Sequence, residues 1–297
     1  MREQQDLQGS TTPDAKDRDQ LSPENMQFLR QYIERESGIA LGDSKQYLLQ
    51  SRLQPIVSLA KLTSLGELCD QLRGSPAPSL RRLVVEAITT HETLFFRDIG
   101  VFDCLRTALL PEIARQHETT KSIRIWSAAC SSGQEAYSVA MLLLESGYAN
   151  WNIQILGTDL SSRILQRAGA GKFLQIEVNR GMPAALLVKY FQRAGKEWQL
   201  KDSVRRMVSF APFDLRQDMR SLGNFDLVLC RNVLIYFDVE TRKKILAAIR
   251  GTLFPGGYLL LGSSETTFDL DEGYLRKTVG EAIVYQKPMI MSASGNP

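Results

Sequence analysis

Residues Ile123-Arg-Ile-Trp126 form an apolar run of strand length that stops in small residues, turns on Gly133 and resumes as the apolar stretch Ser138-Val-Ala-Met-Leu-Leu-Leu144. A strand that gives way, through small residues and a glycine, to a buried helix lets a ligand approach the backbone at the strand's carboxyl end. The rhythm continues downstream. Ile153-Gln-Ile-Leu156, Phe225-Asp-Leu-Val-Leu229 and Tyr258-Leu-Leu-Leu261 read as strands, and residues 239–253 as the helix joining the last two. Such alternation predicts an α/β fold, a doubly wound, mostly parallel sheet with helices on both faces and ligands at the carboxyl ends of its strands. Between 174 and 210 the rhythm breaks: Pro183, the helix-like 184–191, and the strand-like pieces Glu197–Asp202 and Arg205–Phe210 predict a small antiparallel β insertion that also carries a helix.

Upstream the pattern differs. Residues 1–20 hold almost no large apolar side chains and read as a disordered tail. From Ser22-Pro23 the chain turns amphipathic, with Ser22 placed to cap, Pro23 at a first helical position, and Phe28, Leu29, Tyr32 and Ile33 at helical spacing. Further helices are predicted over 44–53, 64–73 and 79–90, with Pro55 and Gly74-Ser-Pro-Ala-Pro78 as the breaks. The expected organisation is an N-terminal helical domain over 21–90 and an α/β domain over 91–297.

Composition removes several classes of function. At 297 residues, 43% hydrophobic and 23% charged, the chain can bury one full α/β core and a smaller unit. No apolar stretch approaches the ~18–20 residues of a membrane span, and MREQQDLQGS lacks the apolar core of a secretory signal, so a cytoplasmic location without membrane insertion is expected. Cys69, Cys104, Cys130 and Cys230 are widely separated, which favours reduced core thiols over a disulfide framework or thiolate metal site. Two histidines, His91 and His117, cannot build a multi-histidine metal centre, and no metal is expected. A net charge of +3 is small for nucleic acid held by electrostatics, so no nucleic-acid partner is expected either.

The strand ends carry the chemistry. Glu135 follows the glycine turn, and Asp159 closes the second strand roughly 25 residues later, the place from which a carboxylate accepts hydrogen bonds from ribose hydroxyls. The turn lacks the G-x-G-x-x-G spacing of a pyrophosphate site, so a nucleoside-containing cofactor without pyrophosphate, S-adenosylmethionine, fits better. Taken singly, Glu135 reads equally well as a solvated first-turn residue and Asp159 as a helix cap before Ser161-Ser162.

Four stretches together narrow the reading: Thr89-Thr-His-Glu-Thr-Leu-Phe-Phe-Arg-Asp98, WSAACSSGQEAYS from Trp126, Cys230-Arg-Asn-Val-Leu-Ile-Tyr-Phe-Asp238, and Leu253-Phe-Pro-Gly-Gly-Tyr-Leu-Leu-Leu-Gly-Ser-Ser-Glu265. In this order they resemble the CheR-type chemotaxis-receptor glutamate methyltransferases, from the N-terminal helices to Tyr285. The resemblance implies cofactor contacts at His91, Thr93, Arg97, Glu135, Asp159, Asp214, Leu215, Arg231 and Asn232, with Arg97 and Tyr236 orienting the reacting groups. Phe95 and Phe96 are expected mainly as core anchors. His91 stands where the family generally has Asn, Gln134 and Ala136 replace the common Glu and Pro of the turn, and Asp214 replaces a common Asn, which makes the chain a divergent member.

The implied chemistry suits a chain this poor in histidine. A glutamate side chain is already a carboxylate at neutral pH, so its methylation needs no general base, only positioning roughly 3 Å from the methyl carbon in a desolvated site. The resemblance also implies chemoreceptors as partners, approached through their cytoplasmic helical region by a basic helix face; Lys45 and Arg52, two turns apart, are the substrate-binding candidates. Some members dock a receptor's C-terminal tail as an added strand on the insertion, but the short connection Arg193-Ala-Gly-Lys-Glu197 argues against that tether. Two rival readings stand: a methyltransferase for another substrate, disfavoured because Asn232-Val-Leu-Ile occupies the place of an Asn/Asp-Pro-Pro-Tyr/Phe amino-methylating motif, and a module that binds cofactor or receptor without turnover.

Overall fold

A computed structural model describes residues 21–42 and 46–289; the tail expected over 1–20 and Lys45 lie outside the described residues. Those residues form two compact units, one within 21–36 and 40–88, the other comprising 37–39 and 89–289.

The smaller unit is helical: α1 Pro23–Ser37, α2 Gln46–Leu59, α3 Leu65–Arg73 and α4 Pro78–Ile88. Leu29, Ile33, Leu53, Leu68, Cys69 and Val84 are fully buried in it, as the helical spacing requires. The α3 start is capped by Ser64, whose Oγ accepts the Glu67 N–H at 3.1 Å. Pro55 does not end a helix as expected: α2 runs through it. A helix-interior proline forfeits a backbone hydrogen bond, and here burial of Leu53, Ile56 and Val57 on both sides of it offsets that loss.

The larger unit opens with α5 Ile99–Cys104 and α6 Leu110–Gln116, joined by a π-helical turn, before the sheet begins. In chain order the remaining elements are β1 Ser122–Ala128, α7 Gln134–Glu145, β2 Asn152–Asp159, α8 Ser162–Ala170, β3 Lys172–Leu174, α9 Gln175–Asn179, α10 Ala184–Tyr190, β4 Phe191–Ala194, β5 Glu197–Leu200, α11 Asp202–Arg205, β6 Val208–Pro212, β7 Phe225–Cys230, α12 Val239–Thr252, β8 Leu253–Leu261, β9 Leu275–Val279 and β10 Ala282–Gln286. Seven strands make one sheet in the order β6-β2-β1-β7-β8-β10-β9, parallel except for β10, which runs antiparallel to both neighbours. The doubly wound, mostly parallel sheet is the one the alternation predicts. The chain leaves β1 toward β2 and β6, then returns across it to β7, so a crevice opens at the carboxyl ends of β1 and β7 where the winding reverses.

The insertion is a three-stranded antiparallel sheet, β3-β5-β4, with β4 and β5 joined through Gly195-Lys196; the strand-like piece expected in it over 205–210 instead pairs in parallel with β2 as the edge strand β6 of the main sheet. Aromatic rings fasten it to the main sheet. Phe95 meets Phe173 at 4.9 Å and Phe191 at 5.8 Å between ring centres, while Tyr137 on α7 meets Phe173 at 6.2 Å and Phe210 on β6 at 5.6 Å. Gly181 presses its backbone onto the same segment: at φ +85° it has no Cβ, and one there would lie 2.0 Å from the Phe95 carbonyl oxygen. All four cysteines are buried and unpaired in disulfides, and no helix among the described residues is long and apolar enough to cross a membrane.

Phe173 is the hinge of this packing. Phe173→Ala should cost about 3–5 kcal/mol in equilibrium urea unfolding, because a fully buried ring touching Phe95, Tyr137 and Phe191 leaves a cavity that three different elements would have to close.

Candidate functional site

The crevice is a cleft with about 1220 Å³ of empty space, part of it open to solvent, at the carboxyl ends of β1, β2, β6 and β7. That is ample for a drug-sized or nucleoside ligand. All nine expected cofactor contacts, His91, Thr93, Arg97, Glu135, Asp159, Asp214, Leu215, Arg231 and Asn232, line it, and so does Tyr236. Every lining residue belongs to the larger unit. Arg52 is not among them: its Nη1 donates to the Ile88 carbonyl at 2.5 Å, so its charge sits against the end of α4.

The floor is the turn from β1 to α7. Ala129 and Ser131 are left-handed at φ +55° and +51°, and Gly133 at φ +91° completes the turn. Two non-glycine residues in that region cost on the order of 1 kcal/mol or more each, and persist only where the surroundings over-determine them. Here they do. The Cys130 N–H donates to the Thr158 carbonyl at 2.8 Å, the Ser131 N–H to Asp159 Oδ2 at 2.9 Å, and the Ser131 hydroxyl to the His91 carbonyl at 3.0 Å. A Cβ on Gly133 would come within 3.1 Å of both Ala168 and Phe210.

Asp159 is almost wholly buried; its Oδ1 accepts the Ser161 N–H at 3.0 Å while Oδ2 takes the Ser131 N–H. Burial pushes its carboxyl above the usual aspartate value, against the pull of those N–H donors and of His91. The cap reading and the ligand reading are therefore compatible, since each oxygen keeps a lone pair. Burial likewise pushes the Cys130 and Cys230 thiols well up, so neither supplies a thiolate nucleophile.

Glu135, in the first turn of α7, is not solvated. Its Oε1 accepts the Ser127 hydroxyl at 2.7 Å and its Oε2 the Arg231 Nη1 at 3.0 Å. Arg231 is buried to 1% side-chain exposure; its Nη2 donates to Asp98 Oδ2 at 2.5 Å and to the Arg97 carbonyl at 3.0 Å. Asp214 is clasped by Arg216, whose Nε and Nη2 reach its two oxygens at 3.0 and 2.6 Å. Arg97 is half-buried, and its guanidinium donates to the Glu92 carbonyl across 3.5 Å without an ion pair among the described residues.

The wall formed by Asn232 to Tyr236 depends on a residue to which sequence reasoning assigned no role. Glu265 accepts four backbone N–H groups: those of Asn232 and Gly262 on Oε2, both at 2.7 Å, and those of Val233 and Ile235 on Oε1, at 2.9 and 3.3 Å. This holds Asn232 left-handed at φ +58°, and Gly262 is required because a Cβ there would lie 2.9 Å from the Asn232 backbone nitrogen and 2.7 Å from Glu265 Oε2. Glu265 and Asp98 both stand inside recognisable motifs, yet their partners are up to 133 residues away in the chain, and no linear signal marks them.

Residues 91–281 match the CheR methyltransferase, SAM binding domain, and residues 24–89 the CheR methyltransferase, all-alpha domain. The chain belongs to the CheR methyltransferase family. It is 40% identical over 274 residues to the chemotaxis protein methyltransferase Cher2 of Pseudomonas putida, covering 90% of this chain and 99% of that one. It is 41% identical over 268 residues to chemotaxis protein methyltransferase 1 of Pseudomonas aeruginosa, covering 88% and 97%. It is an S-adenosylmethionine-dependent methyltransferase, and the cleft of this CheR methyltransferase brings three carboxylates, Glu135, Asp159 and Asp214, together over a floor on which Gly133 leaves no room for a Cβ.

Glu265→Gln tests the wall. The amide nitrogen would face two N–H donors instead of accepting them, which should cost about 1–3 kcal/mol in thermal or urea unfolding. Amide exchange at Asn232 and Val233 should speed accordingly.

Proposed function

We propose that this chain methylates glutamate side chains on the cytoplasmic helical region of chemoreceptors, giving methyl esters. The observation that carries the reading is an arginine, Arg97, that lines the cleft together with Tyr236 and makes no salt bridge among the described residues. A guanidinium whose charge no salt bridge among the described residues takes up suits a substrate carboxylate. The names of the Pseudomonas relatives support chemotaxis as the setting.

S-adenosylmethionine supplies a methyl group on positively charged sulfur, which a carboxylate oxygen accepts with no change of protonation. Asp159 receives the ribose hydroxyls on its remaining lone pairs. Glu135, Thr93, His91, Asn232, Asp214 and Leu215, all in the cleft lining, would hold the rest of the cofactor. Arg97 holds the incoming glutamate by one oxygen, and the Tyr236 hydroxyl sets the plane of its carboxyl group. Neither changes protonation state. Arg97 must orient without binding so tightly that it damps the oxygen's nucleophilicity, and its location at a half-buried rim serves that balance.

On the receptor side, Lys45 and Arg52 are the proposed contacts of the helical domain, with attraction to an acidic methylation region speeding encounter at low salt. Because Arg52 also donates to the Ile88 carbonyl, Arg52→Gln tests its charge with less damage to α4 than reversal would do.

The decisive experiment is transfer of labelled methyl groups from the cofactor to a purified receptor fragment. Base-labile release of label as methanol is expected; stable label, or label on RNA or a small molecule, would refute the ester assignment, and binding without transfer would make the chain a non-catalytic module. In calorimetry, Asp159→Ala should weaken cofactor binding by about 1–3 kcal/mol; unchanged affinity would remove the ribose assignment. Tyr236→Phe keeps the ring and deletes the hydroxyl, so turnover should fall while cofactor affinity holds. A wild-type rate would leave Tyr236 only as a wall.

A further inference from the structure

We infer that Asp98 is a positioning residue for methyl transfer, holding Arg97 at the cleft through the buried guanidinium of Arg231. The inference rests on the proposed role of Arg97 and adds to it the device that places that side chain.

Asp98 occupies the N-cap position of α5, where an aspartate ordinarily accepts an N–H from the helix's first turn. It makes no such bond. Its backbone is left-handed at φ +63°, two residues after Phe96 at φ +50°. A side chain that forgoes its cap while its backbone stays in a costly conformation is held there by something stronger.

The holder is Arg231. One guanidinium nitrogen, Nη2, contacts both the Asp98 carboxylate at 2.5 Å and the Arg97 carbonyl at 3.0 Å, so the Arg97–Asp98 peptide is gripped at both ends. The other, Nη1, is anchored on Glu135 at 3.0 Å, and Glu135 is itself fixed by the Ser127 hydroxyl on β1. The chain of contacts therefore runs from the central strand, through the first turn of α7 and the end of β7, to the backbone of Arg97. From the opposite side the Phe96 N–H donates to the Ser138 hydroxyl at 3.0 Å. Arg97 projects from a segment pinned immediately before and after it, and its direction is set by backbone, since among the described residues its guanidinium makes one hydrogen bond, the 3.5 Å contact to the Glu92 carbonyl. Losing the Asp98 carboxylate removes one of the two Nη2 contacts and frees this peptide to rotate.

The test uses the full chain. Asparagine and glycine both tolerate a left-handed φ, so Asp98→Asn and Asp98→Gly remove the charge without demanding a new backbone. Transfer to a receptor fragment should slow roughly tenfold or more in both, with calorimetric affinity for S-adenosylhomocysteine within about threefold of wild type. In the ligand-free protein, amide exchange at Arg97 and Asp98 should speed. If Asp98 acts through Arg97, the Asp98→Asn, Arg97→Ala double variant will be no slower than Arg97→Ala alone. Rates within about twofold of wild type for both Asp98 variants, or slowing that multiplies with that of Arg97→Ala, would overturn the inference. Arg97→Ala at the wild-type rate would instead overturn the reading of Arg97 on which it depends.

Discussion

A guanidinium with 1% of its side chain exposed needs acceptors in place of water, and for Arg231 the fold supplies two carboxylates and a carbonyl from two separate segments. Removing one partner of a buried ion pair typically costs 3–5 kcal/mol, because the remaining charge is left without water or counter-charge. The end of β7, the start of α7 and the segment through Arg97 are thereby obliged to meet at one point. That point is the rim of the cleft. The site is built around an interaction that contacts several expected ligand-facing groups without itself being free to move.

The same logic explains where strain collects. Phe96, Asp98, Ala129, Ser131 and Asn232 are all non-glycine residues with positive φ, and all but Phe96 and Asp98 line the cleft directly. Each is opposed by specific bonds: Arg231 on Asp98, Asp159 and Thr158 on the β1–α7 turn, Glu265 on Asn232. A cleft that presents backbone and short side chains at close quarters needs these sharp reversals, and hydrogen-bonded carboxylates hold them more firmly than packing alone. The acidic groups counted on for binding therefore have structural work as well: Asp214 accepts the Arg216 N–H and guanidinium. Asp159 ties the turn and Glu135 anchors Arg231, and each retains lone pairs toward the cleft.

Much of the architecture was legible in advance because hydrophobic periodicity follows directly from which face must be dry. The strands at 123–126, 153–156, 225–229 and 258–261 and the helix after Val239 appear where the pattern put them, extended by a few residues where backbone pairing outruns the apolar run. Pro55 misled for the opposite reason: local propensity disfavours an interior proline, but propensity is a small term beside burial of Leu53, Ile56 and Val57. The small insertion was expected as a strand-and-helix mixture, and its pairing order, β3-β5-β4, was not readable, since register between short strands depends on partners distant in the chain.

The linear sequence determined the layered α/β class, the crevice at the strand ends, and the set of residues that gather there, because alternation, a glycine turn and short motifs are local properties. Tertiary structure decided what each of those residues is free to do. Arg231, which lines the cleft, has its Nη1 and Nη2 taken by Glu135, Asp98 and the Arg97 carbonyl; Arg52, expected on an open basic face, lies against the Ile88 carbonyl; Glu265, a motif residue without an assigned task, holds a whole wall of the cleft. Charge and hydrogen-bonding capacity are written residue by residue, but which partner consumes them depends on segments up to 133 residues apart being brought within 3 Å, and only the closed fold does that.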